Sequence, residues 1–510
     1  DLSRVAEDMP ERAIACTRIE TAFLVSLCSP SISVCQLVTK CISLFCEEAN
    51  LTDDATGQIK GLPPTIHNIE IYREISNRDF RFTGLVAFQK RVRGLFKQIQ
   101  HPTPGILRAW EIIFDSWLVL SKQILSQSSE TLDEDSLIEW RNFSGLLASL
   151  GGICLSEGAS LNDDTASSGL QWIDSSSPDR SDTLLSRYLE QSVYLLSSSN
   201  VRIREAIRES LSTELAPSLY IPLFQKLESV LEILFDNSRV SSLFTAESRI
   251  IFAEQAASLL RSILDGLEGQ TEVGGAFSID IGALALNFAR FLDDISDGLS
   301  VLRVKIKICQ LCVAIFQKEE LLSLRHDIRI RNQLLEVIFN WISLQNPPKD
   351  NLTSIGSRFD EVNRLQKDLS IASLKVLSAL TYRLPLQPAE GQTDADTSDL
   401  KSQMFHTYFN RFLSLIEYEF SEAARNEVRL TTITMEKPNT APELVISALS
   451  NLLSANIDVG LKHSLGIGYH EDPIIRTAFV KVLCNILVQG KEFNNLSDTS
   501  VNEKYSYLLE

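Results

Sequence analysis

Apolar residues recur every three or four positions along most of the chain, and this spacing predicts helices. In 219–235 they fall at Leu219, Leu223, Leu227, Val230, Leu231 and Leu234. The same spacing recurs in 328–342 and in 405–416. No convincing series of alternating strands with hairpin turns interrupts it. The pattern therefore predicts an all-α protein in which helices pack on helices.

A short motif recurs where several of these helices are expected to begin. An Asp or Asn is followed by an apolar residue, an Arg and a small residue, as in 200–206 and 472–478, and looser copies start at Asp327 and Asp368. The polar residue suits a helix cap, and Pro473 suits a first turn. The motif is typical of the second helix of a HEAT-type repeat, so we expect a HEAT/armadillo-like helical-repeat solenoid with long polar loops.

The charged and cyclic residues of this motif are candidates for an architectural role. Arg202, Arg204 and Arg476 are expected to pair with carboxylates along the repeat ladder. Pro217 and Pro473 are expected to break or begin helices. The core is expected to hold the large aromatic residues Trp110, Trp117, Trp140 and Trp341.

Polar, Ser-rich or Pro-rich stretches separate the helical patterns and are read as loops. The longest is 156–182, and within it Ser177, which precedes Pro178, is a candidate phosphorylation site. Shorter loops are predicted at 126–134, 266–275, 346–351, 387–399 and 426–442.

These loops suggest a division of the chain into five parts. The parts are an N-terminal helical-repeat part at 1–125, acidic and Ser-rich loops at 126–182 around a helix at 139–155, a central helical-repeat part at 183–425, a linker or junction at 426–442, and C-terminal helices at 443–510.

Charge and hydropathy exclude two classes of protein. The net charge of −18 argues against a broad nucleic-acid surface, because phosphate binding needs a positive field. No apolar run approaches the roughly 20 residues of a membrane span. The densest basic stretch is Lys90, Arg91, Arg93 and Lys97. We interpret it as a solvated helix face rather than a phosphate site.

Catalytic and metal-binding signatures are not found in the sequence. It lacks the phosphate-loop, dinucleotide-binding, zinc-protease and nucleophile-elbow motifs. Its nine cysteines are scattered, which predicts free thiols in a reducing compartment. Cys309 and Cys312 fall in mid-helix, where buried core thiols are expected rather than a zinc or redox site. We therefore predict no catalytic, cofactor-binding or metal-binding residue.

Seven segments resemble the region of neurofibromin and of the fungal Ira proteins that lies just before their Ras GTPase-activating domain. The segments are Glu139–Leu155, Glu214–Leu227, Lys305–Leu311, Leu384–Gly391, Ser450–Asp458, Gly466–His470 and Gln489–Phe493. They follow the order of the family. Residues 1–138 resemble the fungal members more loosely, and 426–442 matches poorly.

The resemblance implies a scaffold segment of a longer negative regulator of Ras. The activating domain of the family stabilises the transferring phosphoryl group with an arginine finger. The motif that carries the finger, Phe-Leu-Arg followed by Pro-Ala, does not occur here, and residues 500–510 resemble only the entry helix of that domain. The resemblance thus implies no enzymatic activity for the chain itself.

The same resemblance implies partners and a location. A homodimer through the scaffold, Ras through the adjacent domain, and tubulin or other proteins are the expected partners. The implied location is cytoplasmic, with peripheral recruitment to membranes through partners. Two alternatives stay open: the chain itself contacts Ras or contributes to GTPase activation, or it is a generic HEAT-type adaptor.

Overall fold

The chain divides into two compact units, residues 1–266 and 267–510. The division falls inside the segment 183–425 that the sequence suggests as one part. The computed structural model describes residues 2–56, 67–77, 84–99, 101–126, 133–156, 178–235, 245–266, 276–296, 298–317, 324–342, 356–387, 394–427 and 440–493.

In the part of the first unit that the structure describes there are ten α-helices, with a π turn and a 3₁₀ turn between the eighth and the ninth. The helices are α1 (Leu2–Leu27), α2 (Ile32–Thr56), α3 (Ile69–Ser76), α4 (Leu85–Phe96), α5 (Pro104–Ser126), α6 (Glu134–Ser156), α7 (Pro178–Leu195), α8 (Val201–Glu209), α9 (Tyr220–Phe235) and α10 (Ala246–Gly266). The π turn spans Ser210–Glu214 and the 3₁₀ turn spans Pro217–Leu219.

Helix α6 lies at the centre of the first unit. It packs on α4, α5 and α7 and on the π turn, while α1 packs on α5 and α7 packs on α9. The residues of α6 between Asn142 and Leu150 are buried on every side. An α-helix that is apolar or small all round is expected at such a central position.

Two stacked tryptophans join α5 to α6. The rings of Trp117 and Trp140 lie 6.3 Å apart and 11° from parallel. Trp117 Nε1 donates to Ser144 Oγ and Trp140 Nε1 donates to Ser121 Oγ, each over 2.7 Å. Ser144 lies one turn after Trp140 in α6, and Ser121 lies one turn after Trp117 in α5. Each serine accepts from the tryptophan of the other helix, so the two contacts are reciprocal. Both indole N–H groups are satisfied in a buried layer, as a core tryptophan requires.

The second unit consists of eight α-helices in the part of it that the structure describes. They are α11 (Ala276–Asp293), α12 (Leu299–Gln317), α13 (Leu324–Asn340), α14 (Gly356–Thr381), α15 (Asp394–Glu427), α16 (Ala441–Ala455), α17 (Ile457–Ser464) and α18 (Pro473–Phe493), with a 3₁₀ turn at Leu465–Tyr469.

Alternate helices of the second unit pack in two rows. One row runs α12, α14, α16, α18, and each member packs on the next. In the other row α11 packs on α13 and α15 on α17, and Phe339 of α13 stacks on Tyr408 of α15 at 5.5 Å. The rows are connected by consecutive helices, since α11 packs on α12, α13 on α14 and α15 on α16. This is the packing of stacked helix pairs, and it confirms the predicted all-α, helical-repeat class.

The structure confirms several local predictions. Helices cover the three segments in which apolar residues recur every three or four positions, except for Leu219 in the 3₁₀ turn and for Trp341 and Ile342, which follow the end of α13. The four tryptophans expected in the core, Trp110, Trp117, Trp140 and Trp341, are buried. Cys309 and Cys312 are buried free thiols inside α12, and burial raises the pKa of Cys309 to about 12. No helix among the described residues is long and apolar enough to cross a membrane.

Two of the four predicted helix starts are wrong. Asp327 lies inside α13 and Asp368 lies inside α14, which begins at Gly356. Asp368 is exposed, and a solvated carboxylate costs little in a helix whose other face is apolar. The predicted loop 387–399 is also too long, because α15 already begins at Asp394. Ser177 and most of the other predicted loops lie outside the described residues.

Candidate functional site

The most polar part of the first unit's interior lies around the π turn that follows α8. After this turn the chain runs extended through Leu215 and Ala216 against α6, and Ala216 N donates to Ala148 O over 3.0 Å. This approach needs small residues on α6: a Cβ at Gly152 would lie 2.6 Å from Ser218 Oγ. The first two segments that resemble the Ira family therefore pack on each other. π turns inside helical segments occur frequently at functional sites.

A buried ion pair closes the base of this region. Arg93 of α4 and Glu214 at the end of the π turn are each 5% exposed, and Arg93 Nη1 binds Glu214 Oε1. Arg93 Nη2 also donates to Asn142 Oδ1 over 3.0 Å, and Asn142 Nδ2 donates to the carbonyl of Cys28 over 3.1 Å. One polar network thus joins α1, α4, α6 and the π turn.

Gly145 makes room for this ion pair. A Cβ at this position would overlap both Arg93 Nη1 and Glu214 Oε2. Helix α6 therefore brings its backbone against the two charged groups and excludes water from them. In such a site the attraction between the charges is strong, and so is the cost of removing one of them.

A second carboxylate, Glu209, forms ion pairs with two more cations at the surface. Lys90 Nζ lies 2.6 Å from Glu209 Oε1, and Arg141 binds Glu209 Oε2. Burial raises the pKa of Glu209, but Lys90 and Arg141 together outweigh it and hold the pKa below its ordinary value. Lys97 donates to the carbonyl of Thr213, and burial lowers the pKa of Lys97 against the opposing charge of Glu214.

The interpretation of the basic stretch as a solvated helix face is therefore wrong for Arg93, which is buried, and for Lys97, which is half-buried, whereas Lys90 and Arg91 are exposed as expected. Arg93 is buried among Val92, Phe96 and Gln89, and the segment 209–214 covers this face of α4. The reason is long-range pairing: the chain supplies Glu214 from a position far along the sequence, so the local charge pattern alone does not show it. The signal that could have found it is helical spacing, which places Arg93 within the apolar stripe of α4.

A charged groove of about 570 Å³ opens above the network, between α6, α8, the π turn and α10. Its charged lining carries both signs in equal number, with three glutamates and three arginines: Glu134, Arg141, Arg202, Glu205, Arg208 and Glu209. Arg202 Nη1 bridges to Glu134 Oε2 over 2.8 Å, and Arg208 Nη1 donates to Gln255 Oε1 over 3.2 Å. A lining of this kind suits a polar segment of a partner protein that carries both signs of charge.

The three arginines expected to pair with carboxylates along the repeat ladder make different contacts. Arg202 contacts a carboxylate, Glu134, and the pair is largely exposed, so it contributes little to stability. Arg204 donates instead to the carbonyls of Ser199 and Ser198, over 3.1 and 3.2 Å. Arg476 lies in the second unit.

Arg476 makes the same local contacts as Arg204. It donates to the carbonyls of Glu471, over 2.9 Å, and His470, which lie five and six residues before it. The caps are also alike: Asn200 Oδ1 accepts from Arg202 N over 3.0 Å, and Asp472 Oδ1 accepts from Ile474 N over 2.7 Å. The two close copies of the sequence motif therefore share one function, which is to fix the turn that precedes a helix.

The two prolines stand at helix starts. Pro473 is the first residue of α18, where its missing N–H would have no partner in any case. Pro217 is the first residue of the 3₁₀ turn, directly after the extended segment that crosses α6.

A second buried arginine, Arg331, binds backbone carbonyls in the second unit. From α13 it donates through Nε and Nη2 to the carbonyl of Leu380, over 3.1 and 2.6 Å, and through Nη2 to that of Tyr382. These carbonyls stand at the C-terminal end of α14, where a helix leaves its last carbonyls without an internal partner and attracts cations. This contact was not predicted from the sequence.

The segment after α14 is then tied to the end of α16. Asn456 Nδ2 donates to the carbonyl of Leu384 over 3.0 Å, and Leu386 N donates to Asn456 Oδ1 over 2.9 Å. Two more of the segments that resemble the Ira family thus meet, as they do in the first unit.

A buried carboxyl, Glu20, stands between α1, α3 and α5, and among the described residues no basic group lies at hydrogen-bond distance from it. Tyr72 Oη donates to Glu20 Oε1 over 2.5 Å, and Thr103 Oγ1 donates to Glu20 Oε2 over 2.6 Å. Burial raises the pKa of Glu20, although both hydrogen bonds and His67 oppose the rise. The sequence did not single out this residue either.

Comparison with known proteins finds relatives among regulatory proteins. No protein-family model matches the chain. The inhibitory regulator protein IRA2 of Saccharomyces cerevisiae is 24% identical over 457 residues, which cover 85% of this chain and 14% of that protein. The inhibitory regulator protein IRA1 of the same yeast is 24% identical over 454 residues, which cover 83% of this chain and 14% of that protein. The chain is therefore similar to two yeast inhibitory regulators over most of its length.

These matches confirm the predicted resemblance to the Ira and neurofibromin family. The chain spans 14% of the length of each of the two yeast relatives. The activity of those whole proteins is therefore not carried over to this chain by similarity alone.

Proposed function

We propose that the chain is a helical-repeat scaffold segment of a longer negative regulator of Ras signalling. The observation that supports this proposal is the match to two yeast inhibitory regulators over 85% and 83% of the chain. In this proposal the GTP hydrolysis of Ras is stimulated by a neighbouring domain, and the chain itself is not a catalyst. Its location is the cytoplasm, with recruitment to membranes through partners.

The scaffold would act by holding its surface groups in defined positions. Buried networks such as that of Arg93, Glu214 and Asn142 fix the relative places of the helices in each unit, so surface groups keep a defined geometry. A preformed surface binds a partner without a large cost in conformational entropy. The scaffold thereby serves self-association, positions the activating domain, and offers surfaces to partners such as tubulin.

A chimera tests the proposal. The segment of yeast IRA2 that this chain matches is replaced by the chain, and the fraction of GTP-bound Ras is measured in cells that lack the native protein. We expect the chimera to lower GTP-bound Ras, whereas a deletion of the same segment does not. A chimera that is as inactive as the deletion at equal protein levels would favour a generic helical-repeat adaptor.

A GTPase assay separates the scaffold from direct activation. Purified chain is added to Ras loaded with GTP, and phosphate release is followed over time. We expect the rate to equal the intrinsic rate of Ras. A large acceleration would show that the chain contributes to GTPase activation itself.

A further inference from the structure

Helix α2 is apolar on two faces, of which only one is buried in the first unit. Its inner face packs on α1 and α3 through Cys35, Val38, Ile42, Cys46 and Ala49. Its outer face carries Val34, Leu37, Cys41, Leu44, Glu48 and Leu51. Leu37, Leu44 and Leu51 are 63%, 64% and 72% exposed. An exposed apolar stripe of this length marks an interaction surface.

The spacing of the outer stripe is that of a coiled coil. Its six residues follow one another at alternating intervals of three and four, which is the a and d pattern of a heptad repeat. The stripe is straight over about 27 Å at the rise of an α-helix. Such a narrow seam fits one further helix that lies nearly parallel or antiparallel to α2.

We propose that a second copy of this chain covers the stripe, with the two α2 helices antiparallel about a two-fold axis. The proposal deepens the proposed self-association and rests on it. In this arrangement Cys41 packs against the partner's Leu44, Leu37 against the partner's Glu48, and Val34 against the partner's Leu51. Every position of the stripe then has a counterpart, as an isologous contact requires.

Charge complementarity selects the antiparallel pairing. Lys40 and Glu47 are exposed and occupy equivalent flanking positions of successive heptads. The antiparallel register places Lys40 beside the partner's Glu47, and the two-fold axis repeats this ion pair. A parallel pairing would instead place Lys40 beside the partner's Phe45.

The one charged residue within the stripe is compatible with burial at this contact. Glu48 already forms an ion pair with Arg12 of α1 in its own chain, so its carboxylate keeps a counter-charge. Its methylene groups can then lie over the partner's Leu37. Because α2 is already held in place by α1 and α3, the contact also has no cost of helix formation.

Sedimentation equilibrium of the whole chain over a wide concentration range tests the contact. We expect the mass to rise with concentration from 57.0 kDa towards twice that value. Leu44→Lys should weaken the dimer at least tenfold. The matched control is Val488→Lys, which places the same charge at a side chain of α18 that is 62% exposed, and it should leave the dimer unchanged.

A charge exchange tests the register. Lys40→Glu alone and Glu47→Lys alone should each weaken the dimer, because like charges then face each other. The double variant Lys40→Glu/Glu47→Lys should restore it, because both partners are exchanged at once. Restoration is specific to the antiparallel register.

Three other outcomes would overturn the proposal, and each would contradict a different part of it. A dimer that Leu44→Lys does not weaken would place the interface elsewhere and leave self-association intact. A double charge variant as weak as the single ones would exclude this register. A monomer at all concentrations would remove self-association from this chain, while the chimera experiment would still decide its part in Ras regulation.

Discussion

The two units each bury an arginine, and they satisfy its charge in different ways. In the first unit Arg93 meets a buried carboxylate, Glu214, with Asn142 beside it. In the second unit Arg331 meets the carbonyls of Leu380 and Tyr382 at the end of α14. Both side chains are almost fully removed from water. The first contact joins two ions, whereas the second joins an ion to the dipole of a helix end.

The two arrangements differ in the group that stays buried when the arginine is removed. Without Arg93, a negative charge stays buried among helices, and its desolvation has no compensation. Without Arg331, the carbonyls lose a donor but no ion is left behind. The first arrangement is therefore more sensitive to single substitutions, although Arg331 donates more hydrogen bonds than Arg93 does.

The largest expected effect follows from removing Arg93. Arg93→Met should lower the free energy of unfolding of the first unit by about 3–5 kcal/mol, because Glu214 is left as an unpaired buried charge. Urea denaturation measures the loss. The double variant Arg93→Met/Glu214→Leu should recover most of it. A double variant as unstable as the single one would show that packing, and not charge, governs this site.

A methyl group at Gly145 should disturb the same ion pair without removing either charge. Gly145→Ala would overlap both charged groups and should destabilise the first unit by about 1–3 kcal/mol. Gly94→Ala is the matched control, since Gly94 is also inside a helix and a Cβ there meets nothing within 4 Å. It should stabilise by about 0.5–1 kcal/mol. Equal effects of the two changes would contradict the close approach of α6.

Removal of the second arginine should have a smaller effect than removal of the first. Arg331→Met should lower the stability of the second unit by about 1.5–3 kcal/mol, the range of hydrogen bonds to a charged group. The stability of Arg331→Lys should lie between that of the unsubstituted chain and that of Arg331→Met. A lysine keeps the charge beside the helix end but not the planar geometry of the guanidinium group. If Arg331→Met cost more than Arg93→Met in the same assay, the comparison would be reversed.

The smallest effect concerns Glu20, a buried carboxyl whose two hydrogen-bond donors are neutral. Burial raises its pKa, so the folded state holds a proton more tightly than the unfolded chain. The free energy of unfolding should therefore fall as the pH rises from the ordinary value of 4.5 towards the raised value in the fold.

Urea denaturation at several pH values measures this slope. Glu20→Gln should flatten it, because the variant has no proton to release. Glu74→Gln, at an exposed carboxylate on α3, should leave the slope in place. If the free energy of unfolding rose with pH instead, the hydrogen bonds from Tyr72 and Thr103 would outweigh burial in their effect on the pKa of Glu20.

Local features of the fold could be predicted, because they depend on neighbours in the sequence. Apolar spacing located α9 and α13, and Asn200 and Asp472 marked true helix starts because their side chains cap residues two positions ahead. Asp327 and Asp368 misled because an aspartate inside a helix looks like a cap when only the sequence is read.

The polar network could not be predicted, because its members come from distant parts of the chain. Arg93, Asn142 and Glu214 stand on α4, α6 and the π turn, and nothing local relates them. Likewise, Arg204 and Arg476 were expected to seek carboxylates, whereas short loops before their helices offer carbonyls within reach. Pairing across the fold depends on geometry that helical spacing alone does not supply.

The reciprocal tryptophan pair has an optical consequence. The coordinates place Trp117 and Trp140 face to face in the first unit, and of the five indoles of the chain only Trp341 belongs to the second. Two stacked indoles with centroids 6.3 Å apart are close enough for their excited states to couple, so we expect the pair to contribute an exciton band to the far-ultraviolet circular dichroism. With Trp341→Phe, the intrinsic emission of the chain would follow the first unit alone, so the melting of the two halves could be recorded separately without an added label.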